Sequence, residues 1–241
     1  RHAEKKISNP ENKNPHLITL DSPTQRVGGE VLDGFITVTH KYPMLSLGNT
    51  YSSEDLHKFD VKLHKLTTKD FDYICELKYD GVSISLIYEN GELIQAITRG
   101  DGVQGDDVTA NVRMIKSIPL RLVGDYPAQF EIRGEIFLPI AGLEQMNKIR
   151  VKQGLEPYAN TRNTASGSLK LLDPNEVSRR PLDCYLYHLL GDNLPSNSHY
   201  ENLKKARSWG FKVPLEIEKH KEIVNVIDFI KKWDTERHNL A

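Results

Sequence analysis

The sequence predicts an α+β fold in which antiparallel sheets are flanked by helices. Between Phe71 and Arg99 apolar residues recur with a period of two, broken at Asp80-Gly81 and again at Asn90-Gly91, the second a two-residue hairpin signal. Leu56, Phe59, Leu63 and Leu66, and later Ile223, Val226, Ile227, Ile230 and Trp233, recur at helical spacing on either side of the strands. A hairpin rather than a βαβ crossover joins the first strands, so strands and helices interleave without a parallel sheet.

Taken in order, residues 1–34 are rich in Asn, Pro, Gly and Ser and read as an extended arm leading into a compact body over 35–241. Ser52 is placed to cap the first helix, with Glu54 and Asp55 in its first turn favouring the dipole, and this helix is expected to pack on the sheet that follows. Residues 71–99 read as an antiparallel meander. A further strand runs through Phe130–Phe137, after which Pro139 opens a helix with Leu143, Met146 and Ile149 inward, closed near Gly154. Residues 181–190, PLDCYLYHLL, read as a buried strand. Ser198-His-Tyr-Glu201 is a capping box for a helix ending at Gly210, and the last helix presents Ile223 through Trp233 on one face.

Composition excludes several classes. Of 241 residues, 38% are apolar and 27% charged, which is ordinary for a globular chain and unlike disorder. The net charge of −1 creates no global field toward nucleic acid or membrane, although a local patch still can. Cys75 and Cys184 are the only cysteines and lie far apart, which argues against a disulfide framework and a zinc site and fits a reducing, cytosolic setting. No apolar run has the length of a membrane span, and the polar N-terminus is unlike a signal peptide. The nine histidines show no metal-ligand pairing and read as surface or satisfied core residues.

The stretch CELKYDG, 75–81, sets Lys78 between Glu76 and Asp80 at every second position. In an extended strand these three charges share one face, which looks either into a polar pocket or onto solvent as a self-neutralising ladder. Glu131, Arg133 and Glu135 alternate in the same way, and Arg99 ends another strand beside Gly100-Asp101-Gly102. A lysine attacks as a nucleophile only when neutral, and with a reference value near 10.4 only about one in a few thousand is neutral at pH 7. Neighbouring carboxylates oppose that form, so burial and an added cation, Mg²⁺ or an arginine such as Arg99, are needed to favour it. Gly100-Asp-Gly-Val-Gln-Gly105 also fits G-x-G-x-x-G, but the hairpin before it argues for a tight turn over a dinucleotide site.

CELKYDG, TRGDGVQGDDVTANV (98–112), EIRGE (131–135), DSPTQRVGG (21–29), HKYPMLSLGNTY (40–51) and NTRNTASGSL (160–169) together resemble the adenylation domain of bacterial NAD⁺-dependent DNA ligases, in order from about residue 15 onward. The resemblance implies a nucleotidyltransferase fold in which Lys78 attacks the α-phosphorus of NAD⁺, releases nicotinamide mononucleotide and holds AMP. It implies that Glu76 contacts the adenine edge, that Ser46 and Leu47 border the nucleotide, that Glu135 binds the ribose hydroxyls and that Arg99 lies on the phosphate side. Tyr187 is expected to stack on adenine or to be a plain core aromatic. Asp80 is expected to orient the lysine, to help hold a metal or simply to make the turn before Gly81. Arg162 and Lys170 fall in a block used near nucleic-acid phosphates.

By the same resemblance the cofactors are NAD⁺ as AMP donor and Mg²⁺, with no metal ligands assigned in this chain and zinc expected only in a region further downstream. The partners are nicked double-stranded DNA and NAD⁺ or AMP, with no membrane, and the protein is expected to be monomeric and cytoplasmic. The domain is expected to be truncated at both ends, 1–34 carrying the remnant of an N-terminal helical domain and 35–241 lacking its last strands. On that expectation the isolated chain turns over NAD⁺ poorly. ATP-dependent ligases and capping-type nucleotidyltransferases share Lys-x-Asp-Gly, but PMLSL and DSPTQRVGG argue against them. A non-catalytic nucleic-acid-binding fragment is the remaining alternative.

Overall fold

The computed structural model describes residues 32–240, so DSPTQRVGG and nearly all of the 1–34 arm lie outside the described residues. In chain order these form β1 (Thr37–Thr39), α1 (Ser53–Leu66), β2 (Tyr73–Cys75), β3 (Val82–Glu89), β4 (Glu92–Thr98), β5 (Gln104–Asp106), α2 (Thr109–Val112), β6 (Gln129–Phe137), α3 (Ile140–Lys152), α4 (Thr161–Leu169), α5 (Pro174–Ser178), β7 (Asp183–Leu190), α6 (His199–Ser208), β8 (Glu218–His220) and α7 (Ile223–Glu236). The chain divides into two compact units, one comprising residues up to Met44 with Tyr79–Val213, the other Leu45–Lys78 with Pro214 onward. Every ladder is antiparallel. Among the described residues no helix is long and apolar enough to cross a membrane.

The first unit is built on a four-stranded sheet of order β4-β3-β6-β7. Asn90 and Gly91 join β3 to β4 with φ of 49° and 80°, the left-handed pair that a two-residue hairpin requires. Alternation then sorts the side chains. One face carries Ile84, Leu86, Tyr88, Phe130, Ile132, Ile136 and Leu186, all buried. Over it lies α6, followed by Trp209 and Phe211. Tyr88 stacks on Phe130 at 5.6 Å, Phe211 meets Tyr88 edge-on at 5.0 Å and Trp209 lies 5.4 Å from Phe130. Such aromatic pairs add to the burial of their area. The opposite face carries Ser83, Ser85, Glu131, Arg133 and Glu135.

Between β6 and β7 the register passes from Gly134↔Leu186 to Arg133↔His188, which leaves Tyr187 as an extra residue on β7. Gly134 sits at this crowded point. A Cβ there would lie 2.2 Å from the Tyr185 carbonyl oxygen and 2.5 Å from Leu186 Cδ2.

In the second unit β2 pairs with β8, Tyr73 opposite His220 and Cys75 opposite Glu218. The meander expected over 71–99 is therefore two structures: β2 leaves it, and only β3 and β4 form the hairpin. Nor is CELKYDG a strand. β8 is three residues long, so the ladder ends at Cys75 and Glu76–Asp80 run without strand pairing.

Ser52 Oγ accepts from Asp55 N–H at 3.1 Å, as its capping role predicts. The helix it caps, α1, packs chiefly on α7 rather than on the following sheet, touching β2 through the Tyr73 hydroxyl, which donates to Asp60. Its Phe59 and Leu66 are exposed, as are Ile149 of α3 and Ile230 of α7, whereas Met146 and Ile227 are buried as expected, together with Gly142 and Phe229. The box at α6 is half made. Ser198 Oγ accepts from Glu201 N–H at 3.4 Å, while Ser198 N–H donates to Ser196 Oγ at 3.0 Å.

Gly134→Ala is expected to destabilise the first unit by about 1–3 kcal/mol, because backbone rather than a flexible side chain obstructs the methyl group. Urea denaturation of the variant beside the parent chain measures it, and an unchanged midpoint would show that β7 yields freely.

Candidate functional site

In the first unit the polar face of the sheet is buried. Glu131, Arg133 and Glu135 are 4%, 8% and 6% exposed. A buried charge needs partners. Arg133 Nε donates to Glu131 at 2.6 Å, and its terminal nitrogens donate to the carbonyl of Pro43 at 3.1 Å and to that of Tyr42. The segment leading to PMLSL is thus fastened to β6. Glu135 accepts from Gly81 N–H at 3.2 Å through one oxygen and from Ser83 Oγ at 2.8 Å through the other.

Tyr187, the extra residue of β7, is half-buried beside this carboxylate. Burial first, and then the charge of Glu135, push its phenol up to about 12, against a smaller opposing hydrogen bond from Ser83. It stays a neutral phenol at physiological pH. Tyr79, the residue after Lys78, lies 4.5 Å from Tyr185 and 6.2 Å from Phe137, ring centre to ring centre, which seats Tyr79 itself on the end of the sheet.

Arg99 follows β4 and is exposed. Gly100 and Gly102, with φ of 55° and 96°, shape the turn after it, and the run enters β5 instead of opening a helix. The G-x-G-x-x-G pattern is a tight turn. Asp101 closes it by accepting from Val103 and Gln104 N–H, both at 2.9 Å, and the backbone hydrogen bonds from Gln104 and Val103 hold its carboxyl below the usual range.

The 160–170 block forms α4. Asn160 caps it by accepting from Asn163 N–H at 2.8 Å, and buried Asn111 donates to the Leu169 and Leu171 carbonyls at 2.7 and 2.8 Å at its far end. Arg162 in its first turn pairs with Asp80 at 2.9 Å, and Lys170 at its end pairs with Asp106 at 2.7 Å. Neither carboxylate was foreseen as their partner. Both pairs are solvated and so contribute about 1 kcal/mol or less.

In the second unit Lys78 is exposed and Glu76 half-buried. Ser46 is exposed, and Leu47 is 76% exposed. The Cys75 thiol is pushed up to about 11, by burial first and then by Glu218 and Glu76, so it remains protonated and is no rival nucleophile.

Sequence reasoning passed over Ser83, Tyr79 and the structural duty of Arg133. Ser83 was legible as a small hydroxyl alternating with Ile84 opposite the charged strand. The partners of Arg133 were not, because carbonyls some ninety residues away have no sequence signature. Among the described residues no three His, Cys, Asp or Glu side chains gather as a metal site.

The family model of the NAD-dependent DNA ligase adenylation domain matches residues 32–241. The chain is 55% identical over 231 residues to a DNA ligase of Flavobacterium psychrophilum, covering 95% of this chain and 35% of that protein. It is 54% identical over 237 residues to the DNA ligase of Flavobacterium johnsoniae, 98% and 36% of the two chains. Against the DNA ligase of Phocaeicola vulgatus the identity is 54% over 231 residues, 95% and 35%. The chain spans about a third of the length of these curated relatives. With that match embracing both the Lys78 segment and the buried carboxylate strand, the chain belongs to the NAD-dependent DNA ligase adenylation domain family.

Proposed function

We propose that Lys78 is the nucleophile that takes AMP from NAD⁺, and that the chain folds as a nucleotidyltransferase domain over residues 35–241. The observation that carries the reading is an exposed lysine in a Lys-x-Asp-Gly segment whose next residues, Tyr79 and Gly81, are held by the Tyr185 ring and the Glu135 carboxylate. The lysine Nζ forms a bond to the α-phosphorus, the pyrophosphate P–O bond breaks, nicotinamide mononucleotide departs and Nζ loses a proton. Arg99 stabilises the charge that develops on the phosphates. Glu135 accepts from the ribose hydroxyls. Tyr187 offers its ring to adenine, Glu76 meets the adenine edge, and Ser46 and Leu47 border the nucleotide. Mg²⁺, when bound with the nucleotide, offsets phosphate charge.

In the complete ligase AMP then passes to the 5′-phosphate of a nick, where the 3′-hydroxyl displaces it. Arg162 and Lys170 contact DNA phosphates. Their present partners, Asp80 and Asp106, are exchangeable at low cost because both pairs are solvated. Release of Arg162 would free Asp80 to act near Lys78. Two free buried thiols suit a reducing cytosol.

Incubation of the complete ligase with NAD⁺ should add one AMP to the protein by intact mass, and Lys78→Ala should abolish the adduct. A surviving adduct would refute the assignment, and an adduct formed from ATP alone would point to the other ligase class.

Glu135→Gln and Arg99→Ala should retain the parent circular dichroism and lower the adenylation rate by about 10–1,000-fold, the range seen when one charge-stabilising group is removed. Glu135→Ala should in addition lose about 1–3 kcal/mol of stability, because it strips the acceptor from two donors in a buried layer. Full-speed adenylation by Glu135→Gln would remove the carboxylate from the site.

A further inference from the structure

The turn carrying Arg99 is held by a buried residue that the sequence assigns to no site. His40 follows β1 and is 7% exposed. Its ring Nε2 lies 3.2 Å from the Arg99 carbonyl oxygen. A carbonyl only accepts, so Nε2 is the donor. The same oxygen accepts from Gly102 N–H at 2.9 Å. The backbone of the segment binds the turn as well, His40 N–H donating to the Val103 carbonyl and Met44 N–H to that of Gly102, both at 2.8 Å.

We propose that His40 is a positioning residue for Arg99: by fixing the Arg99 carbonyl it fixes the point from which the exposed guanidinium reaches the phosphates. The inference rests on the reading of Arg99 given above. Three features support it. The turn is glycine-shaped at Gly100 and Gly102, so no side chain at those positions braces it. It is closed within itself by Asp101, but that carboxylate receives Val103 and Gln104 and leaves Arg99 to other donors. Finally, His40 Nδ1 is buried without a hydrogen-bond partner among the described residues, so the ring uses one nitrogen only. A residue kept for bulk would not need that nitrogen, and one kept for the Nε2 donor can be replaced by another side chain that presents N–H at the same place.

The amide of glutamine reaches the position of Nε2, whereas that of asparagine reaches only that of Nδ1. The test is single-turnover AMP transfer in the complete ligase over a range of NAD⁺ concentrations, with His40→Ala, His40→Gln, His40→Asn, Arg99→Ala and the His40→Ala/Arg99→Ala pair. His40→Ala should lower the limiting rate about 10–100-fold with little change in the half-saturating NAD⁺ concentration, as expected when a catalytic group is displaced by about an ångström. His40→Gln should restore most of that loss and His40→Asn should not. In the Arg99→Ala background the His40→Ala change should cost no further rate, because the two act through one group.

Equal losses in both backgrounds, or glutamine and asparagine behaving alike, would overturn the proposal and leave Arg99 in place. An Arg99→Ala variant at full speed would overturn the reading of Arg99 and the proposal with it. If His40→Ala fails to fold, the contrast between glutamine and asparagine decides.

Discussion

A guanidinium buried against the sheet is the constraint on which the rest of the first unit depends. Arg133 lies in the middle of β6 with almost no access to water and divides its donors among the Glu131 carboxylate and the carbonyls of Tyr42 and Pro43. Burying such a pair yields little net stability, since desolvation offsets the attraction, but removal of one partner costs about 3–5 kcal/mol. The consequence is geometric more than energetic. The chain from His40 to Met44 has one place to lie, because elsewhere the cation would lose acceptors it cannot replace from solvent.

Other attachments issue from the same strand. Two positions along from Arg133, Glu135 gathers Gly81 N–H and the Ser83 hydroxyl, so the segment after Lys78 is referred to β6. Between them Gly134 admits β7 so closely that a bulge forms, and the residue it releases from pairing is Tyr187. The segment EIRGE thus packs a cation clamp, a close approach and an acceptor into neighbouring residues. The strand can do this only because its other face, with Phe130, Ile132 and Ile136, is anchored in the aromatic core under α6.

Charges are divided by depth. Those on β6 are buried and hydrogen-bonded, as the burial of a charge requires. Arg162, Lys170, Asp80 and Asp106 sit at the surface in pairs that water already weakens. Net charge concealed this division, because −1 is a sum over both kinds.

The sequence by itself determined the class of fold, the hairpin at Asn90-Gly91, the Ser52 and Ser198 caps, the strands through 130–137 and 181–190, and the family, because each is written in local periodicity, turn chemistry or an unbroken motif. It also marked Glu135 and Lys78, since alternating charges in apolar runs are costly and therefore conspicuous. Only the tertiary structure decided that β2 leaves the meander to pair with β8, that Lys78 lies beyond the end of a strand, that α1 packs on α7, and that Arg133 and His40 fasten the 40–44 segment. Strand partners and buried polar contacts join residues tens of positions apart, and their choice follows from which surfaces meet and which donors are left without water. That competition is resolved in three dimensions, and period and spacing along the chain carry no record of it.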